Sequence, residues 1–148
     1  MHDSRWDPLL GVHYQEDPTP GRHTVGAGQY YNVMQLWKFV SWAPKVPLLT
    51  LKKHEYIPNE VNALKSVAGA AFKQIVDGAG GCIFAMATGL QHWPLFQWLN
   101  TATGWDRTPD EYMEIGKRIQ TMRRLFNARQ RYSVQDGRLH DRMIGNPP

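Results

Sequence analysis

The stretch Thr108-Pro109-Asp110-Glu111-Tyr112-Met113-Glu114-Ile115-Gly116-Lys117-Arg118-Ile119-Gln120-Thr121-Met122-Arg123-Arg124-Leu125-Phe126 decides the fold class. Thr108 and Glu111 stand at capping-box spacing, and Pro109 takes the first helical position, where a missing N–H costs nothing. Tyr112, Ile115, Ile119, Met122 and Phe126 then recur at steps of three and four, the period of one helix face. Acids lead (Asp110, Glu111, Glu114) and bases trail (Arg123, Arg124, Arg129), which suits the helix dipole.

The same grammar extends upstream. Asn59 is a good N-cap, and Val61, Leu64, Ala68, Ala71, Phe72 and Ile75 share one face of the helix that follows. That helix stops at Asp77-Gly78-Ala79-Gly80-Gly81, because each glycine costs about 1 kcal/mol relative to alanine in a helix interior. A short apolar helix is expected from Cys82 to about Thr88. Another is expected from Pro94 to Ala102, with Leu95, Trp98 and Leu99 inward. Residues 29–42 carry Tyr30, Val33, Met34, Trp37 and Val40 at helical spacing, and Pro44 and Pro47 end that run. Residues 45–58 form a connection with one apolar run, Val46 to Leu51. Residues 1–28 are rich in Pro, Gly, Asp and His and lack a period, so they read as an ordered irregular segment. Nothing reads as a strand. The expectation is one all-α irregular domain of about five helices with a Pro/Gly-rich N-terminal segment.

Composition narrows the class. The chain has 148 residues, 42% hydrophobic and 20% charged, which is ordinary for one globular domain. The uncharged stretch between Asp77 and Asp106 is broken by polar residues and glycines, so it makes a poor membrane span. The start Met1-His2-Asp3-Ser4-Arg5-Trp6-Asp7 lacks the apolar core of a signal peptide, and the protein reads as cytoplasmic. Three of the four net positive charges fall in residues 101–148, densest at Lys117, Arg118, Arg123, Arg124, Arg129 and Arg131. No nucleic-acid motif accompanies them. A solvated face, or one meeting another protein surface, is the better reading than a nucleic-acid patch. The single cysteine, Cys82, excludes an internal disulfide framework and a self-contained cysteine-rich metal site.

Generic catalytic templates are absent: no Gly-x-Ser-x-Gly elbow, no His-Glu-x-x-His, no phosphate loop. Asp77-Gly78-Ala79-Gly80-Gly81-Cys82 allows two readings. It is either a helix–turn–helix corner with a packed thiol, or a place where backbone approaches a flat ligand closely. In the second reading Asp77 accepts hydrogen bonds from an N–H-bearing edge such as an aminopyrimidinone, and Cys82 presents a thiolate. His23, in the Pro-fixed stretch 17–24, is either a surface loop histidine or an acid–base group. His13, His54 and His92 read as structural, and the tryptophans as core and interface mass.

Four stretches together resemble the aldehyde:ferredoxin oxidoreductase family of tungsten or molybdenum bis-pterin enzymes. Met1-His2-Asp3-Ser4-Arg5 is similar to its His-Asp-Pro-Arg segment, with Ser4 in place of proline. Asp17-Pro18-Thr19-Pro20-Gly21-Arg22-His23-Thr24 resembles a loop of its bacterial members. Asp77-Gly78-Ala79-Gly80-Gly81-Cys82 resembles its Asp-x-x-Gly-Leu-Cys motif, with Gly81 in place of leucine. Residues 100–106 through 118–119, and 124–129, resemble its C-terminal helical signature. The resemblance runs over nearly the whole chain in the family's order.

That resemblance implies roles. Asp77, with backbone around Gly80 and Gly81, would hold a pterin. Cys82 would be the last of four thiolate ligands to a [4Fe–4S] cluster. His23 would move protons as an aldehyde becomes a carboxylate, with electrons leaving through the cluster to a ferredoxin. The other cluster cysteines, the first pterin motif and the β-rich pterin-cradling domain would lie upstream, on a longer chain or a partner subunit. Residues 1–148 then form a partial domain, inactive by itself. Two alternatives stand beside this: a cofactor-free helical interaction module, and a fragment of the family's aromatic thioester reductase branch. Neither nucleic acid nor membrane is expected as a partner.

Overall fold

The computed structural model describes residues 3–5, 8–19, 21–22, 28–46, 54, 57–82, 85 and 93–144. Among them lie five α-helices and no strand: α1 (Pro8–Glu16), α2 (Gly28–Met34), α3 (Glu60–Gly78), α4 (Leu95–Thr103) and α5 (Pro109–Arg129). Short 3-10 turns follow at Leu36–Lys38, Val134–Gly137 and Asp141–Ile144. None of the described helices is long and apolar enough to cross a membrane.

The two long helices start where the sequence says. The Asn59 side chain accepts from the Asn62 N–H at 2.8 Å. Thr108 and Glu111 make the reciprocal box, with the Thr108 N–H donating to Glu111 Oε2 at 2.7 Å and the Glu111 N–H to Thr108 Oγ1 at 3.3 Å. The Thr108 N–H and hydroxyl hold the Glu111 carboxyl below the usual carboxylate range. α3 and α5 form the central pair, and α1 and α2 pack on α3. The pair can close because Gly116 of α5 lies on the backbone of Ala71 in α3.

The main core joins Tyr31, Met34, Leu36 and Val40 to Ala68, Ala71, Phe72, Ile75 and Val76 of α3, Leu95 and Phe96 of α4, and Tyr112 and Met113 of α5. Phe96 meets Phe72 edge-on at 5.9 Å and stacks on Tyr112 at 5.6 Å. A smaller cluster seats Leu10 and Tyr14 of α1 against Leu139 and Met143.

Several local expectations change. The sequence suggests an irregular segment over 1–28, yet Pro8–Glu16 is helical. Leu9, Leu10, Gly11, His13 and Tyr14 are all buried, so this helix lacks a broad polar face and leaves no periodic signal. The helix expected over 29–42 breaks at Gln35, which adopts φ +47°, and resumes as a 3-10 turn. A left-handed non-glycine residue costs about 1–2 kcal/mol. Here the bend accompanies complete burial of both Leu36 and Val40. Val33 and Val61 face outward. In α4, Phe96 rather than Trp98 turns inward, and on α5 Met122 and Phe126 are 71% and 64% exposed. Most of the short helix expected from Cys82 to Thr88 lies outside the described residues, and Cys82 itself is not helical.

Candidate functional site

The corner at residues 77–82 is built by the end of α3. Gly80, at φ +73°, reverses the chain. Its N–H donates to the Asp77 carbonyl at 3.0 Å, and the Gly81 N–H donates to the Val76 carbonyl at 2.8 Å. These are the paired bonds of a Schellman ending, which satisfy carbonyls the helix would otherwise leave open. Gly81 is required for a different reason. A Cβ there would stand 2.9 Å from Val76 Cγ1, 3.0 Å from the Val76 carbonyl oxygen and 3.3 Å from Trp93 Cζ3.

Asp77, Gly78, Gly80 and Cys82 are exposed. A Cβ added at Gly78 or Gly80 would meet nothing within 4 Å, so that side of the corner is open to a flat ligand. The Gly80 and Gly81 N–H groups are already used within the turn. The Asp77 carboxylate and main-chain carbonyls outside the turn's own bonds can accept from a ligand. Such a set matches the N–H-bearing edge of an aminopyrimidinone, and in that sense the residues fit a pterin. The exposed Cys82 sulfur is likewise free to meet a group supplied from outside. Among the described residues no three His, Cys, Asp or Glu side chains gather as a metal site. A cluster bound at Cys82 would therefore draw its other ligands from elsewhere.

Two cations hold the Asp77 carboxylate. Arg22 Nη2 donates to Oδ2 at 2.9 Å, and the Lys73 ammonium donates to Oδ1. The Lys73 side chain is buried and that of Asp77 is partly exposed. Each carboxylate oxygen keeps lone-pair capacity beyond these bonds. Arg22 immediately precedes His23, and His23 lies outside the described residues. The structure thus brings Arg22 to the glycine corner.

A second anchor holds the start of that segment. The Asp17 side chain has no exposed surface. Its Oδ1 accepts from the Thr19 N–H at 2.7 Å and from Arg123 Nη2 at 3.3 Å, and its Oδ2 accepts from Gln120 Nε2 at 3.0 Å and from Arg123 Nη1. Arg123 also donates to Thr19 Oγ1 at 2.6 Å and to Gln74 Oε1 at 3.2 Å. Arg124 pairs with Glu16 at 2.8 Å, and Asn127 Nδ2 donates to the Pro18 carbonyl at 2.6 Å. Part of the basic cluster on α5 is therefore turned onto its own chain. Lys117 does the same, lying 4.1 Å from the Trp42 ring centre.

Four of these residues were given no part in a site from the sequence: Arg22, Lys73, Asp17 and Arg123. Lys73 left a usable trace, since it stands one turn before Asp77. The Asp17–Arg123 contact spans 106 positions and left none.

The family profile described as "Aldehyde ferredoxin oxidoreductase, domains 2 & 3" matches residues 1–148. The chain is similar to the tungsten-containing aldehyde ferredoxin oxidoreductase of Pyrococcus horikoshii, with 44% identity over 55 residues, 37% of this chain and 9% of that protein. Proteins of the same name from Pyrococcus furiosus and Thermococcus kodakarensis give 42% and 40% identity over 55 residues, with the same coverage. The match spans only 9% of the length of these curated relatives. No solved structure matches significantly. With its full length covered by the family profile, the chain belongs to the aldehyde ferredoxin oxidoreductase family.

Proposed function

We propose that the chain is part of an enzyme that oxidises aldehydes to carboxylic acids and passes the electrons through a [4Fe–4S] cluster to a ferredoxin. Residues 1–148 are a partial domain of that enzyme, completed by sequence from elsewhere. The observation that carries this reading is the Arg22–Asp77 contact, which joins the segment bearing His23 to an acceptor-rich corner beside an exposed thiol.

Each residue has a task in this reading. Asp77 and the carbonyls near Gly80 and Gly81 hold the N–H edge of a pterin, and Lys73 fixes the direction of the carboxylate. Cys82 supplies one thiolate of the four that a [4Fe–4S] cluster requires, and the chain has no second cysteine to offer. A tungsten or molybdenum bis-pterin, when bound, supplies the redox chemistry. Conversion of an aldehyde and water into a carboxylic acid releases protons as well as electrons. Neutral His23 accepts a proton from the water oxygen that adds to the carbonyl carbon.

The test is co-expression of this chain with the cysteine-rich segment of the enzyme, followed by iron, tungsten and molybdenum analysis and a visible spectrum. The complex should retain iron and the pterin metal, and Cys82→Ser should lose the cluster absorbance. A Cys82→Ser complex with undiminished iron removes Cys82 as a ligand. A stable, colourless, metal-free complex favours the cofactor-free interaction module.

A further inference from the structure

We infer that the cavity beside the start of α4 is a binding site for a neutral molecule with one aromatic ring and a hydrogen-bond acceptor. Its volume is about 150 Å³, the size of an apolar cavity that admits benzene. Met34, Leu36, Phe72 and Phe96 form its buried floor, and Phe39 and Trp93 line it further out. Phe39 is 44% exposed and Gln97, which also lines the cavity, is exposed, so a ligand can enter from solvent. Phe39, Phe72, Trp93 and Phe96 are aromatic, and Phe72 and Phe96 already meet edge-on at 5.9 Å. Ring faces and edges of this kind favour another ring over an aliphatic chain. No charged side chain lines the cavity, and an ion placed there would lose its water without gaining a partner. The ligand is therefore neutral. Trp93 Nε1 is buried and has no hydrogen-bond partner among the described residues. Buried donors are nearly always satisfied, because leaving one unmade is costly. An acceptor on the ligand satisfies this one. Neither Asp77 nor Cys82 lines the cavity, so it is distinct from the corner at residues 77–82. The two share a wall, since a Cβ at Gly81 would stand 3.3 Å from Trp93 Cζ3.

The test uses the full chain and three probes: benzonitrile, which carries an acceptor; toluene, which lacks one; and benzoate, which is charged. Titrations are followed by nuclear magnetic resonance at the Trp93 indole N–H and the Gly81 amide. Benzonitrile should saturate both signals, and toluene should bind about fivefold more weakly for want of the hydrogen bond. Benzoate should bind more weakly than either, because its charge would be buried unpaired. Trp93→Phe keeps a ring and removes the donor, so the two neutral probes should bind it with equal affinity, read at Gly81. Gln97→Trp fills the mouth from an exposed helix position and should abolish binding. Benzonitrile without effect on either signal, or binding unchanged in folded Gln97→Trp, overturns the inference. Toluene or benzoate binding the parent chain as tightly as benzonitrile overturns it too. If Trp93→Phe fails to fold, Gln97→Trp decides.

Discussion

Arg22 and Asp77, separated by 55 positions in sequence, meet at 2.9 Å at the end of α3, on a carboxylate that the buried Lys73 already holds. The two partners of Asp77 are not equivalent. The Arg22 pair is partly exposed, and such pairs contribute about 0.2–1 kcal/mol. Arg22→Ala should therefore change unfolding stability by less than about 1 kcal/mol. Asp77→Asn removes the counter-charge of the buried Lys73 ammonium, and should cost more, about 1–3 kcal/mol. Denaturant titration of the two variants checks this, and equal losses would contradict it.

Gly116 gives a packing prediction of opposite sign to helix propensity. Alanine is about 1 kcal/mol better than glycine in a helix interior. At this site, however, a Cβ would stand 2.2 Å from the Ala71 carbonyl oxygen and 2.8 Å from its carbonyl carbon. Those are backbone atoms and cannot rotate away. Gly116→Ala should push α3 and α5 apart and destabilise by about 1–3 kcal/mol or more. A thermal or denaturant midpoint at or above that of the parent would refute the close crossing.

The two glycines of the corner should respond differently to the same replacements. Gly80 needs its left-handed φ, which asparagine tolerates far better than alanine. Gly80→Asn should be milder than Gly80→Ala, whose cost is about 1 kcal/mol. Gly81 needs space, because Val76 and Trp93 already fill it. Gly81→Leu, which restores the family's usual motif residue, should destabilise this chain by about 1–3 kcal/mol. Shortening Val76 to alanine should recover part of that loss. The same denaturant series reads all four variants, and a neutral Gly81→Leu would be the contrary result.

Tyr31 predicts an alkaline limit. Its hydroxyl donates to the Pro44 carbonyl and its side chain is fully buried. Burial pushes its pKa from 10.0 up to about 12. The folded state then holds the proton more tightly than the unfolded chain. The resulting stabilisation is complete below pH 10 and is lost as pH rises toward 12. Unfolding stability should fall across that window in the parent. Tyr31→Phe should show a smaller fall from a lower starting point, because the Pro44 carbonyl loses its donor. An identical slope in both proteins would rule out Tyr31 as the source.

The sequence by itself determined what is settled within a few residues. The Asn59 cap, the Thr108–Glu111 box, the stop at Gly80 and the all-α character were legible because capping, glycine φ and helical period are local properties. The acceptor-rich character of Asp77 and the solitary thiol at Cys82 were legible as residue types. What only the tertiary structure decided is which helix face is covered and which distant groups meet. Periodicity marks an apolar face but not its neighbour, so Met122 and Phe126 lie exposed while Met113 and Gly116 fill the crossing with α3. Helix α1 escaped notice because burial around most of its girth erases the polar face that makes a helix readable. The contacts that assemble the site, Arg22 to Asp77 and Arg123 to Asp17, span 55 and 106 positions. They depend on how α3 and α5 pack, a relation that no stretch of local sequence encodes.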